Sequence, residues 1–280
     1  MSADQTRPRR LVVIAGTGTE IGKTWVSRRV LELLAAEWSV QARKPAQSGD
    51  GDPADIGDAA ELAAATGEDE LVVCPPHRRY GVAMAPPMAA EALGLTPATV
   101  AELAAEVSSS WGARASDVGL VELAGGVASP MAIDGDGADL AAALSPDAVV
   151  LVADAGLGTV NAVRLSAARL AEALGADRRL LVVLNRYDDA DDLHVRNRDW
   201  LATRDGFDLA CDLATVALWI EGLAPLHCGS CGKPATECDG SCARPLDPER
   251  FCTRCGRRLV VTVTPTGHSA RCKVHGPIAG

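Results

Sequence analysis

The stretch "VVIAGTGTEIGKTWVSRRV", Val12 to Val30, decides how the rest of the chain is read. Val12, Val13, Ile14 and Ala15 run without polar alternation into Gly16, and a helix-like segment follows Gly22-Lys23-Thr24. An unbroken apolar run of this kind reads as a strand buried on both faces. In "GTGTEIGKT", Gly16 to Thr24, successive backbone N–H groups turn inward only in conformations that glycine permits. Those groups and the positive end of the following helix form an anion site. Lys23 brings a point charge to the β- and γ-phosphates of a nucleotide, and Thr24 offers a hydroxyl to Mg²⁺. Five residues separate Gly16 from Gly22, one more than in the usual G-x-x-x-x-G-K-[ST] loop.

Further apolar runs follow at Leu11–Ala15, Val118–Leu123, Ala148–Ala153 and Leu180–Leu184, with a weaker one at Val40–Lys44. Alanine- and leucine-rich stretches alternate with them: Thr24–Trp38, Asp55–Thr66, Pro97–Val107 and Asn161–Leu174. Strand–helix alternation predicts an α/β fold, a P-loop NTPase-type doubly wound parallel sheet, over residues 1–222. Ala190 to Leu213 is charged and irregular and fits none of these elements. "EGLAPLHC", Glu221 to Cys228, reads as a linker to a small cysteine-rich metal-ribbon domain over residues 227–280.

Charge and cysteine content divide the chain at the same place. The net charge is −10, which argues against nucleic acid as the partner of the whole chain. From His227 onward there are eight Lys/Arg against four Asp/Glu, a net of +4, which leaves −14 on the residues before it. Only Cys74 and Cys211 of the nine cysteines lie outside the tail. No apolar run reaches the roughly 18 residues that a membrane span needs, and the basic start has too short an apolar run for a signal peptide. The expected setting is cytoplasmic, where crowded cysteines point to metal before disulfide.

Ligands of open α/β sheets gather at the carboxyl ends of strands. Glu122 ends one apolar run and is a candidate Mg²⁺ ligand. Lys44 ends the weak run and leads into "KPAQSGDGDPAD", which supplies Ser48 and Asp55. Asn185 ends another run, where an amide either reads an adenine edge or caps a loop.

"GTGTEIGKT", "KPAQSGD", "VELAGG", "DAGLGTVNAV" and "LNR", in this order and at these intervals, resemble dethiobiotin synthetase over roughly residues 10 to 187. The resemblance implies an ATP- and Mg²⁺-dependent ligase that makes dethiobiotin, in biotin biosynthesis, from 7,8-diaminononanoate and CO₂, acting as a homodimer. It implies that Glu20, Ile21, Gly22, Lys23, Thr24 and Trp25 wrap the triphosphate, with Leu123, Ala124, Gly125 and Arg186 also at the nucleotide. Lys23 and Lys44 would neutralise charge during phosphoryl transfer. Thr24, Asp55 and Glu122 would hold Mg²⁺. Ser48 would meet the diamine, Asn185 would read adenine, and Gly158 and Asn161 would meet substrate from a partner subunit. The sequence departs from the family at Gly18, where Asp is common, at Leu123, which replaces a glycine, and at Ala85-Pro86-Pro87, where Ser-Pro-His is frequent.

In the tail, Cys228-x₂-Cys231-x₆-Cys238-x₃-Cys242 is followed by Cys252-x₂-Cys255-x₁₆-Cys272-x₂-His275. Each Cys-x₂-Cys turns two sulfurs toward one ion, and the intervening "RRLVVTVTPTGHSAR" reads as a hairpin from Leu259–Val263 back to Cys272. Spacing leaves Zn²⁺ and an iron–sulfur cluster both open. "HCGSCGKPA" and "FCTRCGRRLVVTVTPTGHSARCKVHG" resemble the small biotin synthase auxiliary protein of actinobacteria. That resemblance implies a cluster-bearing module that serves biotin synthase. Two other readings of the whole chain stand beside this one: a P-loop nucleotide switch with a zinc-ribbon docking module, and a related amide-forming P-loop ligase.

Overall fold

Alternate burial along each apolar run explains the body. Leu11, Val13 and Ala15 pack into one core with Val121, Leu151, Ala153, Val182 and Leu184. Val12 and Ile14 pack into a second with Val118, Leu120, Val150, Val152 and Val183. Side chains point to opposite faces with period two, so runs apolar at every position bury both faces. The computed structural model describes residues 7–51, 57–112, 116–175, 178–223, 227–234, 237–244, 247–253, 256–264, 267–274 and 276–278.

The six principal strands are β1 (Arg10–Gly16), β2 (Val40–Arg43), β3 (Val118–Glu122), β4 (Ala148–Asp154), β5 (Leu180–Asn185) and β6 (Asp208–Ala210). They form one parallel sheet in the order β6-β5-β4-β1-β3-β2. On the Val12 face lie α1 (Lys23–Leu34) and α2 (Gly57–Thr66), through Val26, Val30, Leu31, Ala59 and Leu62. On the Val13 face lie α3 (Val100–Ser110), α4 (Gly137–Leu144) and α5 (Thr159–Leu174), through Leu103, Leu140, Val163 and Leu170. The sheet is therefore doubly wound, as the sequence predicts. No helix among the described residues is long and apolar enough to cross a membrane.

The segment that fitted no predicted element, Ala190 to Leu213, resolves into α6 (Asp192–Thr203) and β6, and α7 (Leu213–Glu221) starts at its last residue. α6 buries only Leu201, and β6 buries only Ala210. Both are too sparsely apolar to announce themselves by periodicity. Asp191 caps α6 through the Leu193 N–H, and Asp212 caps α7 through the Thr215 N–H at 2.8 Å.

Strand order turns at β1, which lies between β3 and β4. The loop after β1 thus opens at the crevice where a sheet of this type admits a ligand. In the tail, β7 (Val260–Thr264), β8 (Gly267–Cys272) and β9 (Gly276–Ile278) form an antiparallel ribbon. The first two are the predicted hairpin, and the third strand is an addition to it.

Candidate functional site

α1 begins without a side-chain cap. Gly22 stands at its N-cap with φ 88°, so the first amides of the helix remain available to an anion. A Cβ at Gly22 would lie 2.2 Å from Asn185 Nδ2. Glycine is required there both for the left-handed turn and for the space. The Asn185 amide at the end of β5 donates to the Ile21 carbonyl at 2.8 Å. Its neighbour Arg186 donates to the Glu20 carbonyl at 2.9 Å and pairs with Asp154 at 3.2 Å. Glu20 and Arg186 both hold positive φ, 59° and 57°, a conformation costly for side chains that persists where surroundings fix it. Asn185 and Arg186 thus tie two loop carbonyls down to the sheet rim.

Lys23 folds back over its own loop and donates to the Gly18 carbonyl at 2.8 Å. Burial, and then the nearby Lys44 charge, lower its pKa to about 8. Beside it, four segments deliver a polar cluster around the buried Lys44, Ser27 and Glu122. Lys44 Nζ donates to Glu122 Oε1 at 2.6 Å and to Asp58 Oδ2 at 2.7 Å. The Thr24 hydroxyl lies 2.9 Å from both Asp58 Oδ1 and Glu122 Oε1. Ser27 donates to Glu122 Oε2 at 2.6 Å. Burial alone would drive the Lys44 ammonium down, but the Glu122 and Asp58 charges outweigh it and hold its pKa above the usual lysine range. Burial works against the Asp58 carboxylate, and Lys44 and Thr24 still hold it below its ordinary value.

Local sequence explains the aim of Lys44. Arg43, one residue earlier, donates to Ser110 Oγ at 2.6 Å, pairs with Glu68 at 2.8 Å and stacks 4.5 Å from the Trp111 ring. With Arg43 fixed there, strand alternation sends Lys44 the opposite way, toward Glu122.

Asp55 lies outside the described residues. Asp58, absent from the sequence-based site, is the carboxylate that α2 brings to Thr24 and Lys44. Asp58 lies on α2, three residues after Asp55 in the sequence. Leu123 is buried in the core, so it adjoins the loop through its backbone alone. A Cβ at Gly126 would lie 3.4 Å from Gly18 Cα, and the Val127 N–H donates to the Gly16 carbonyl at 2.9 Å. Ala124 and Gly125 run into this contact. Ser48 donates to the Met84 carbonyl at 2.5 Å. Trp25 is half exposed on α1. Gly158 is the left-handed N-cap of α5, with Asn161 in its first turn, and Asn197 holds the preceding loop through the Ala155 and Gly156 carbonyls.

A family model described as an AAA domain matches residues 10–214. An ATP-dependent dethiobiotin synthetase of Saccharopolyspora erythraea is 38% identical over 195 residues, covering 66% of this chain and 78% of that protein. One of Caulobacter vibrioides is 38% identical over 180 residues, covering 64% and 81%. One of Streptomyces avermitilis is 42% identical over 165 residues, covering 57% and 65%. The chain belongs to the dethiobiotin synthetase family. It is thus an ATP-dependent ligase by kinship, and the matched region contains Lys23, Thr24, Lys44, Asp58 and Glu122.

The AAA-domain match ends at residue 214, before the tail. There the sulfurs of Cys228, Cys231, Cys238 and Cys242 all lie within 4.8 Å of one another. Cys228–Cys242 and Cys238–Cys242 are separated by 3.4 Å, and Cys231–Cys238 by 3.7 Å. Four thiolates around one tetrahedral ion at about 2.3 Å stand about 3.8 Å apart, so the four fit one metal ion. Backbone N–H groups of Cys231 and Ser230 draw the Cys228 thiol down to about 6, while its sulfur neighbours Cys228 and Cys238 push Cys242 up to about 12. A cation is what lets all four ionise together. Cys252 and Cys272 are buried in one small cluster with Leu259 and Ala270. Cys255 and His275 lie outside the described residues.

Proposed function

We propose that this chain carboxylates 7,8-diaminononanoate and closes the ureido ring of dethiobiotin at the expense of ATP, in the cytoplasm. One observation carries the reading: Lys44, Glu122, Asp58 and Thr24 meet beside an uncapped helix start that already holds Lys23. A carbamate formed from one amine and CO₂ is an anion, and so is ATP. Fixed cations between them offset the repulsion that otherwise keeps two anions apart. Lys23 and Lys44 are those cations.

The loop amides and Lys23 hold the phosphates, and Lys23 gives up the Gly18 carbonyl to do so. Thr24, Asp58 and Glu122 would hold Mg²⁺, Asp58 joining the Asp55 that the family resemblance implies. A Mg²⁺ held by these residues would supply positive charge against the negative charge of the phosphates. Lys44 exchanges part of its carboxylate pairing for the carbamate. The carbamate oxygen attacks the γ-phosphorus and ADP leaves. The second amine then attacks the carbonyl of the mixed anhydride, and phosphate departs as the ring closes. Ser48 orients the diamine. Gly158 and Asn161 receive the substrate bound by a second copy, so a homodimer completes the site.

The tail holds a single metal ion in its Cys228 set. A multi-iron cluster spreads its thiolates over several irons, and four sulfurs within 4.8 Å leave little room for that. This favours zinc or a lone iron. Fused to a synthetase, the tail serves biotin synthase, which consumes the product. ADP release tests the enzymatic reading. It should require both the diamine and bicarbonate; release without the diamine would indicate a nucleotide switch, and release with a different acid a related ligase.

A further inference from the structure

Ser27 breaks the pattern of the helix that carries it. The buried row of α1 runs Lys23, Val26, Ser27, Val30, Leu31 and Leu34, and past the loop lysine every other member is aliphatic. Val26, Val30, Leu31 and Leu34 pack into the Val12 core. A hydroxyl buried in such a layer is costly unless it is hydrogen-bonded. A serine inside a helix commonly turns its hydroxyl back to a carbonyl one turn earlier. Ser27 instead sends it away from the helix, 2.6 Å from Glu122 Oε2, a length typical of a hydroxyl bonded to an ionised carboxylate. Ser27 and Glu122 are both shut off from solvent.

Residues three apart share a helix face, so Thr24 and Ser27 reach the same carboxylate from one side of α1. They take different oxygens. Thr24 and Lys44 both meet Oε1, at 2.9 and 2.6 Å. Among the described residues, Ser27 alone meets Oε2. The carboxylate is thereby sorted into an oxygen turned to the charged cluster and an oxygen anchored in the apolar layer. In the proposed reaction the two partners of Oε1 have other duties, Thr24 toward the metal and Lys44 toward the carbamate. Ser27 has none, so its bond persists while the others are exchanged.

We infer that Ser27 is a positioning residue for the metal site, its hydroxyl pinning Glu122 Oε2 so that Oε1 stays aimed at the ion. The inference rests on the reading that Thr24, Asp58 and Glu122 take Mg²⁺. A carboxylate with one oxygen already fixed loses little further freedom when the other becomes a ligand. Without the hydroxyl, Oε2 is buried with no donor and the group is free to turn. Groups that orient a metal's ligands in this way typically change metal affinity by about 10–100-fold when removed.

The test measures binding of a non-hydrolysable ATP analogue to the full chain by calorimetry, in EDTA and over a Mg²⁺ series, so that turnover plays no part. In the unsubstituted chain, Mg²⁺ should tighten the analogue by about tenfold or more. Ser27→Ala should bind the analogue in EDTA within about twofold of that chain, and should need about tenfold more Mg²⁺ for half of the tightening. Ser27→Thr, which keeps the hydroxyl, should restore the Mg²⁺ midpoint. Ser27→Cys, close in size but a weak donor, should not. An unchanged midpoint in Ser27→Ala overturns the positioning role even if the variant unfolds at a lower temperature, because a hydroxyl that only supports the fold lowers stability without moving the metal midpoint. Should Ser27→Ala fail to fold, Ser27→Thr and Ser27→Cys decide, and equal midpoints in the two overturn the inference. Analogue binding that Mg²⁺ does not tighten in the unsubstituted chain overturns the reading of a metal site, and this inference with it.

Discussion

Among single side chains, Lys44 and Glu122 depend on each other most. Both are almost fully buried, and removing one partner of a buried pair leaves an uncompensated charge worth about 3–5 kcal/mol. Lys44→Ala should therefore destabilise the body by about that amount in denaturant titrations and lower turnover by about 10²–10³-fold. Lys44→Met with Glu122→Gln should recover much of the stability and none of the activity. A variant with normal stability but absent turnover after Lys44→Ala alone would show that the lysine is not structurally paired. Asp58→Asn should raise the Mg²⁺ concentration needed for half-maximal rate at least tenfold, about the effect of losing one charged ligand, with the fold unchanged by circular dichroism. Gly22→Ala forces a Cβ onto the Asn185 amide at positive φ. It should cost about 1–3 kcal/mol and raise the KM for ATP, as thermal unfolding and initial rates would report.

Elements differ in how plainly the sequence announces them. β1, β3, β4 and β5 are runs apolar on both faces, and Val12 beside Val13 already implies a strand with a helix layer on each side. The glycine loop, Lys44 and Glu122 follow from strand ends. Asp58 does not, because it lies on α2 and not at the end of a strand. β6 escapes because three edge residues with a single buried alanine make no pattern. α6 escapes because tertiary contact at Leu201 and a cap at Asp191, not amphipathicity, hold it. α7 relies on its cap as well: Asp212→Ala should cost about 1 kcal/mol in denaturant unfolding, since Asp212 receives the Thr215 amide at 2.8 Å.

For the whole molecule, the proposed organisation joins an acidic α/β body to a basic cysteine-rich tail. The body buries two apolar layers on one sheet, whereas the buried core of the tail, among the described residues, is Cys252, Leu259, Ala270 and Cys272, and the proposed metal would supply the stability that so small a core lacks. Chelation under reducing conditions should make the tail protease-sensitive while ring closure by the body continues; loss of both together would mean that the tail is part of the synthetase. In the proposed reaction two lysines and a phosphate loop bring a carbamate and ATP together. Its most direct test supplies the full chain with ATP, 7,8-diaminononanoate and ¹³C-bicarbonate and identifies the product by mass spectrometry. The account predicts a cyclic urea containing one ¹³C, formed with one ADP per ring and lost in Lys44→Met; ADP formed without label entering the diamine would contradict it.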